Sequence, residues 1–294
     1  MKKKLLRRAH RMRRMPQRRG DTTGRALCRR ARVFTSACPP HALRCGRAHC
    51  EKPMRRFVQA FSIEDDLPAR LEPPLRQALA AYPDHYNLGK GDVASAILCH
   101  DGTAQVQRLQ WGIVPRWSKT PDTPYTTVTA RLERAARSRI FAAPWKSQHC
   151  VIPLSGYYKW DRSRKPAQPY YIHHAQGEVL LAAGLWERWD RGEPALLSFS
   201  VLTHANAAIP APLTADGPIF LSGDRWRSWL RGPRLFPTAF LARAPQPPLL
   251  AYPVSSAYQR RERNDYTLLE PVDADAPGFG DDAEVDEEED DEGE

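Results

Sequence analysis

The chain has 294 residues, 41% of them hydrophobic, which is compatible with a globular core. Charge is distributed unevenly, because residues 1–53 contain 17 Lys and Arg against two acids, whereas residues 270–294 contain 14 acids and no base. No apolar stretch approaches the roughly 18 residues of a membrane span, and the basic start lacks the apolar segment of a secretory signal. We therefore expect a soluble, cytoplasmic protein, nucleoid-associated if it is bacterial.

The middle of the chain, between these two termini, contains 27 bases and 18 acids. A basic body of this kind favours a polyanionic partner, usually nucleic acid. Six cysteines crowd toward the N-terminus without paired C-x-x-C spacing, and we interpret them as reduced thiols. Cys45, His49 and Cys50 are conceivable metal ligands, but their irregular spacing leads us to predict neither a metal nor another cofactor.

The chain divides into three regions by composition. Residues 1–53 show neither the helical nor the strand period of apolar residues, so they are either a disordered basic arm or codons upstream of a true start at Met54, which we favour. Residues 54–272 form the predicted folded domain. Residues 273–294 are predicted to be disordered, and their acids either keep the protein soluble or mimic nucleic acid and compete for the basic body.

Seven short apolar runs within the middle region, bounded by Gly, Pro or Asp, predict strands. They cover residues 56–62, 93–99, 104–111, 149–154, 169–174, 179–186 and 196–203. Helices are predicted over residues 130–141, with a basic face, and over 223–230, with Asp224 as N-cap and Trp226, Trp229 and Leu230 on one side. These elements predict an α+β, strand-rich and barrel-like single domain with short helices.

The segment "VIPLSGYYKWD", residues 151–161, combines an apolar run with a Gly, two Tyr and a Lys before a Trp. A strand that turns at Ser155 and Gly156 and then restarts would hold Lys159 at a sheet edge, beside aromatic rings. The position of this cation is the most unusual feature of the middle region.

Eleven short motifs occur in an order that resembles the SOS-response-associated peptidase family, which are DNA abasic-site-processing proteins. They are "RFVQ", "YN", "LQWGIVPRW", "TARLE", "CVIPLSGYYKW", "PYYI", "AAGLWE", "LTHAN", "APLTADGPIFL", "YPVS" and "RNDYTLLEPV". The resemblance covers residues 54–272 and implies a compact α+β fold around a basic groove for single-stranded DNA. It also implies an N-terminal Cys that attacks the aldehyde of an abasic sugar, with Asn, Glu and His side chains around it.

All four reactive positions of the family are occupied by other residues in this sequence. With "RRF" aligned, Met54 takes the place of the Cys, Thr129 that of the Asn, Lys159 that of the Glu and Thr214 that of the His. Asp216 stands where the family has an Arg. A thioether cannot add to an aldehyde, a hydroxyl is a poor proton shuttle at neutral pH, and Lys reverses the charge of Glu.

Two upstream or neighbouring residues are weaker substitutes for the lost groups. "CGR" at Cys45 lacks the following Phe and precedes Met54 by nine residues. His204 precedes Thr214 by ten residues, and no spacing argument supports it. We therefore predict that no catalytic residue of the family is intact.

The positions that would grip DNA match the family better. Arg56 and Arg131 suit phosphate contacts, and Trp111 and Trp117 suit base stacking, although core packing is an equal interpretation of the two tryptophans. Lys159 would add a further positive charge to the groove and strengthen non-specific binding.

We therefore expect a monomeric protein of the DNA damage response that binds single-stranded or abasic-site DNA and is catalytically degenerate. The alternative is an active abasic-site processing protein, an autopeptidase or lyase, that forms a covalent DNA-protein cross-link through non-family residues, for example a Schiff base on Lys159. A third interpretation is a decaying gene whose product does little.

Overall fold

The structure, a computed structural model, describes residues 54–61, 67–123, 125, 127–232 and 237–274. These residues belong to one compact unit, His49–Glu294. The predicted basic arm, most of the predicted acidic tail and the possible ligands Cys45, His49 and Cys50 lie outside the described residues. None of the helices described is long and apolar enough to cross a membrane, and the described His, Cys, Asp and Glu residues form no group of three that could hold a metal ion.

Five long strands close into a ring through their pairing. In spatial order they are β4 (Thr103–Trp111), β3 (Val93–His100), β6 (His149–Leu154), β9 (Leu180–Trp189) and β10 (Leu196–Ala205). Neighbours are antiparallel except β10 and β4, which run parallel and close the ring. Closure leaves no free edge among these strands, and it confirms the strand-rich, barrel-like prediction.

Two short strands extend β10 beyond the ring. β5 (Thr129–Arg131) pairs with β10 in parallel, and β11 (Asp216–Pro218) pairs with it antiparallel. They bring segments that are far apart in sequence onto opposite sides of one strand.

A second sheet of five strands packs against this barrel. Its order is β12 (Leu249–Pro253), β8 (Gln168–His174), β7 (Gly156–Asp161), β1 (Phe57–Gln59) and β2 (His85–Leu88). The predicted turn at Ser155 and Gly156 is confirmed, since β6 ends at Leu154 in the barrel and β7 begins at Gly156 in the second sheet.

The helices are all short and lie against the barrel strands. They are α1 (Pro73–Ala80), α2 (Leu132–Ala135), α3 (Ala142–Ser147), α4 (Arg225–Leu230) and α5 (Pro237–Ala242), and two 3-10 turns follow at Ser256–Gln259 and Tyr266–Leu269. The predicted helix at residues 223–230 is confirmed with Trp226, Trp229 and Leu230 buried. Asp224 occupies its N-cap, but its carboxylate pairs with Arg227 and makes no capping hydrogen bond.

The predicted helix over residues 130–141 is wrong in extent. Thr129–Arg131 is taken into the barrel as β5, so the helix begins only at Leu132. It ends at Ala135, and further on the hydroxyl of Ser138 accepts a hydrogen bond from the backbone N–H of Ile140 at 3.2 Å. Serine side chains that bond to nearby backbone in this way compete with helix continuation.

The core has two large parts. One lies between the helices and the barrel and includes Trp145, Trp226 and Trp229. The other, which we call the inter-sheet core, lies between the barrel and the second sheet. Its largest members are Phe57, Trp111, Tyr157, Phe199 and Phe220.

Candidate nucleic-acid interface

The four positions that correspond to the family's reactive residues lie in or next to the inter-sheet core. Met54 is a member of that core and only 4% exposed. Thr129 is buried on β5, directly after the core residue Val128, whereas Thr214 is exposed and directly follows the core residue Leu213. The fold therefore retains these positions but places no thiol, imidazole or carboxylate side chain at any of them.

Lys159 is not at a sheet edge, which corrects the prediction made from the sequence. It lies on β7, an interior strand of the second sheet, opposite Tyr170 of β8. Its side chain is 7% exposed, and its ammonium group donates a hydrogen bond to the backbone carbonyl of Asp216 on β11. In the structure this buried ammonium faces the protein interior, so the predicted contribution of Lys159 to a DNA-binding surface stays a prediction that its position does not support.

The surroundings of Lys159 are buried and include polar groups. The hydroxyl of Tyr157 is fully buried, and burial together with the Asp216 carboxylate raises the pKa of Tyr157 well above its usual range. A side chain at Gly217, the next residue after Asp216, would lie 3.3 Å from that hydroxyl. The second sheet and β11 therefore lie close together at Tyr157 and Gly217.

Trp111 is a core residue in the structure, which favours the core-packing interpretation of it over stacking on a base. It is 0% exposed, and its ring packs edge-on against Phe57 with centroids 4.7 Å apart. Its indole N–H donates to the carbonyl of Val128 at 2.8 Å. A base could reach this ring only if the second sheet moved away from the barrel.

Arg56 connects the second sheet to the first 3-10 turn. Its guanidinium lies so close to Gly89 that a Cβ there would be 2.7 Å from Nη1, and Nη2 donates to the carbonyl of Gln259 at 3.5 Å. Burial raises the pKa of Tyr258 above its usual range, and the nearby Arg56 charge partly opposes that rise. Arg56 is half-buried and ties the first 3-10 turn to β1 and β2.

Trp117, in contrast, is 37% exposed on a loop that several polar contacts fix in place. Gly112, with a φ of +106°, allows the chain to turn out of β4 into this loop. The guanidinium of Arg116 forms two hydrogen bonds with the buried carboxylate of Glu187, at 2.8 and 3.1 Å, and these contacts raise the pKa of Arg116. Trp189 donates its indole N–H to the carbonyl of Ser118 at 2.9 Å, so Trp117 is held from both sides.

An open groove of about 490 Å³, which we call the arginine groove, contains the remaining predicted residue, Arg131. Its lining consists of Arg131, Arg134, Arg137, Ser138 and Phe141. The three arginines are exposed, whereas Phe141 is buried and forms the apolar part of the lining.

The arginine groove adjoins Trp117 through the next arginine in sequence. Arg139 directly follows Ser138, and its guanidinium lies over the Trp117 ring at 4.6 Å from the centroid. The indole N–H of Trp117 donates to the carbonyl of Arg139 at 3.4 Å. Four arginines and an exposed tryptophan therefore lie on one continuous part of the surface.

One acid lies among these arginines, and it already has a partner. Partial burial opposes ionisation of Glu133, but a backbone hydrogen bond, His204 and Arg131 together lower its pKa. Its carboxylate contacts Nδ1 of His204. By sequence His204 is a weak replacement for the family's histidine, and in the structure its ring contacts the Glu133 carboxylate.

Two of the residues on this surface, Arg131 and Trp117, were predicted from the sequence, but Arg134, Arg137 and Arg139 were not. The basic face predicted for residues 130–141 was the available signal. The spacing of three residues between Arg131, Arg134 and Arg137 would place them on one side of a helix, and in the structure they line one groove although the helix ends at Ala135.

The fold and this surface together define a strand-rich domain with a closed five-strand barrel, a second sheet and a basic surface groove. The sequence model described as SOS response associated peptidase (SRAP) matches residues 44–260. The chain therefore belongs to the SRAP family.

Named relatives are similar to this chain in sequence, and a solved structure is similar to it in fold. The chain is 25% identical over 233 residues to abasic site processing protein YoqW of Bacillus subtilis, covering 77% of this chain and 99% of that protein. It is 25% identical over 228 residues to abasic site processing protein YedK of Escherichia coli, covering 74% and 99%. A crystal structure of a Bacteroides thetaiotaomicron protein has the same fold, with a TM-score of 0.61, 20% identity and coverage of 74% and 99%.

Proposed function

We propose that this protein binds single-stranded DNA, including strands that contain abasic sites, through the arginine groove and Trp117, and that it does so without forming a covalent bond. The observation that carries the proposal is the groove itself, with Arg131, Arg134 and Arg137 around one cavity beside an exposed Trp. Guanidinium groups bind phosphate, and an aromatic face stacks on any base, so the surface suits a strand of any sequence. The names of the relatives favour DNA with abasic sites as the ligand.

The absence of covalent chemistry is proposed from the residues at the four reactive positions. The thioether of Met54 is packed in the inter-sheet core and carries no nucleophile. Thr129 and Thr214 offer hydroxyl groups, which do not titrate near neutral pH. Lys159 supplies a cation where a proton-transferring carboxylate would be needed.

The alternative of a Schiff base on Lys159 has less support. An amine must be accessible and neutral to add to an aldehyde. The Lys159 ammonium is buried and donates to the Asp216 carbonyl, so the reaction would require this contact to break first.

Binding is tested by fluorescence anisotropy with a labelled single-stranded oligonucleotide, at several salt concentrations. Three phosphate contacts predict a slope of log K against log salt near −2, or about a twentyfold loss of affinity between 50 and 200 mM. Arg134→Glu should weaken binding about tenfold at low salt and reduce that slope by about 0.7 or more.

The matched control is Arg162→Glu, at an exposed arginine in the hairpin between β7 and β8 of the second sheet. It changes the net charge of the protein by the same amount but leaves the groove intact, so binding should change little. Equal losses in the two variants would mean that only the overall charge matters, and no binding by the unaltered protein would overturn the proposal.

Covalent chemistry is tested separately with an abasic oligonucleotide on a denaturing gel, with and without borohydride. We expect no cross-linked band in either case. A band that persists without borohydride would establish an active cross-linking protein, and a band that appears only with borohydride and is lost in Lys159→Ala would establish the Schiff base.

A further inference from the structure

The protein carries a polyanion of its own in addition to its basic groove. Residues 275–294 contain 12 acids and no base, and seven acids follow one another without interruption at residues 286–292. This segment lies beyond the described residues. The domain ends just before it, where the backbone N–H of Val272 donates to the carbonyl of Pro253 at 3.0 Å and Pro271 pairs with Val254.

The arginine groove does not distinguish well between phosphates and carboxylates. A guanidinium forms the same bidentate, charge-assisted hydrogen bonds with both groups. Glu133, which lies between Arg131 and Arg134 in sequence, is not part of the groove lining, and its carboxylate contacts Nδ1 of His204. Arg131, Arg134 and Arg137 are exposed and present their charges to whichever anion arrives.

The acidic segment is long enough to reach any face of the domain. Twenty residues span up to about 70 Å when extended, whereas a folded domain of about 220 residues has a radius of gyration near 17 Å. A segment attached to the same chain has an effective concentration on the order of millimolar. Even a weak attraction therefore suffices to keep the groove occupied most of the time.

We propose that residues 275–294 bind in the arginine groove of the same chain and must be displaced before single-stranded DNA can bind. This inference rests on the proposed function of the groove. Its consequence is selectivity, because a ligand with few phosphates or weak stacking does not displace the segment, whereas a longer strand that also stacks on Trp117 does.

The first experiment compares the full-length protein with a full-length variant in which all twelve acids of residues 275–294 are replaced by Asn or Gln. If the acidic segment occupies the groove in about nine molecules of ten, the variant binds the oligonucleotide about tenfold more tightly at low salt. Salt weakens the segment's own binding as well, so the two affinities converge above about 0.3 M and the unaltered protein has the shallower salt slope. Equal affinities at low salt would overturn the inference while leaving the proposed function intact.

The second experiment detects the acidic segment directly and needs no DNA. A labelled peptide of residues 275–294 is titrated with the neutralised variant, and we expect saturable binding that Arg134→Glu weakens and Arg162→Glu does not. A peptide with Asn and Gln in place of its acids is the control. Failure of the acidic peptide to bind would overturn the inference even if DNA does bind.

The unaltered and neutralised proteins also test whether a second copy of the chain, rather than the same chain, supplies the segment that occupies the groove. The difference between unaltered and neutralised protein should not depend on protein concentration, because the segment binds within its own chain. A difference that grows with concentration, together with a larger mass in sedimentation, would assign the groove to the acidic segment of a second copy and overturn the proposal as stated. If the neutralised variant binds the peptide but not DNA, the proposed function fails and the affinity for acidic chains remains.

Discussion

The family resemblance singles out residues both at the inter-sheet core and at the arginine groove, but those at the core are buried and those at the groove are exposed. At the core, Met54 and Lys159 are buried, and the Lys159 ammonium donates a hydrogen bond to a backbone carbonyl within the protein. At the groove, Arg131 and Trp117 are exposed and supported by neighbours that hold them in position. Resemblance at a position therefore does not say whether the residue there is exposed to solvent, and only the exposed positions are accessible to the ligand that we propose.

The largest expected effect comes from Trp111, on the buried side of this comparison. Trp111→Ala should lower the free energy of unfolding by about 3 to 5 kcal/mol, because it creates a cavity in the inter-sheet core. It also removes the donor to the Val128 carbonyl. Urea denaturation measures the loss.

DNA binding by the folded fraction of Trp111→Ala, measured at low temperature, should stay close to that of the unaltered protein. Weakened binding without loss of stability would place Trp111 in the interface and break the comparison.

Lys159 gives the next largest effect. Lys159→Glu, which introduces the family's residue, would place a carboxylate against the Asp216 carbonyl in a buried site and should cost about 3 kcal/mol or more. Lys159→Met removes the charge and the donor but keeps the apolar stem, so about 1 to 3 kcal/mol is expected. Thermal unfolding of both variants measures which one loses more stability.

Thr214→His is the control for Lys159, since it also introduces a family residue but at an exposed position. It should change stability by no more than about 0.5 kcal/mol. If Lys159→Glu were as harmless as Thr214→His, the site would be more open than its 7% exposure indicates.

Trp117 tests the exposed side. Trp117→Ala should weaken binding of single-stranded DNA by about 1 to 3 kcal/mol, the contribution of one stacked base. Its effect on folding should stay near 1 kcal/mol, because the contact with Arg139 is partly exposed. Anisotropy and urea denaturation on one preparation separate the two quantities.

Trp117→Phe retains an aromatic face and should recover part of the affinity lost in Trp117→Ala. Equal losses in Trp117→Phe and Trp117→Ala would argue that the indole supports the loop and does not stack on a base.

The smallest effect concerns the pH dependence of stability. Burial lowers the pKa of His149, although the carbonyls of Trp145 and Trp229, each 3.0 Å from a ring nitrogen, partly oppose this. Below about pH 6.5, the unfolded chain therefore binds a proton that the folded chain does not, so stability is full above that pH and falls as the pH drops toward the folded pKa. His85 and His174 have pKa values lowered by burial and contribute with the same sign.

Unfolding midpoints of the unaltered protein and His149→Gln, measured between pH 5 and pH 8, test this contribution. The variant should lose less stability than the unaltered protein as the pH falls. Parallel curves would mean that the two carbonyls keep the His149 ring as easily protonated in the folded protein as in the unfolded chain.

Much of the fold could be predicted because its long strands are continuous apolar runs. The runs at residues 93–99, 104–111 and 149–154 correspond closely to β3, β4 and β6. β2 was missed because its sequence, "HYNL", has no apolar alternation, and α1 was missed because it begins with two prolines.

The site could be predicted only in part. The substitutions at Met54, Thr129, Lys159 and Thr214 are visible in the order of residues alone. Whether Lys159 faces DNA or the protein interior depends on β11, whose Asp216 is 57 residues away in the chain. No local pattern contains that contact.

The sequence by itself determined which chemical groups stand at each position. Position 54 has no thiol and position 214 no imidazole, arginine is in excess, the last residues are rich in acids, and apolar runs mark the strands. These are properties of individual side chains and of short runs of apolar residues, and the unfolded chain already has them. The tertiary structure decided which groups reach solvent, because burial depends on strands and loops that meet across long separations. Pairing of β5 with β10 makes the predicted helix begin only at Leu132, and packing of the second sheet against the barrel buries Trp111.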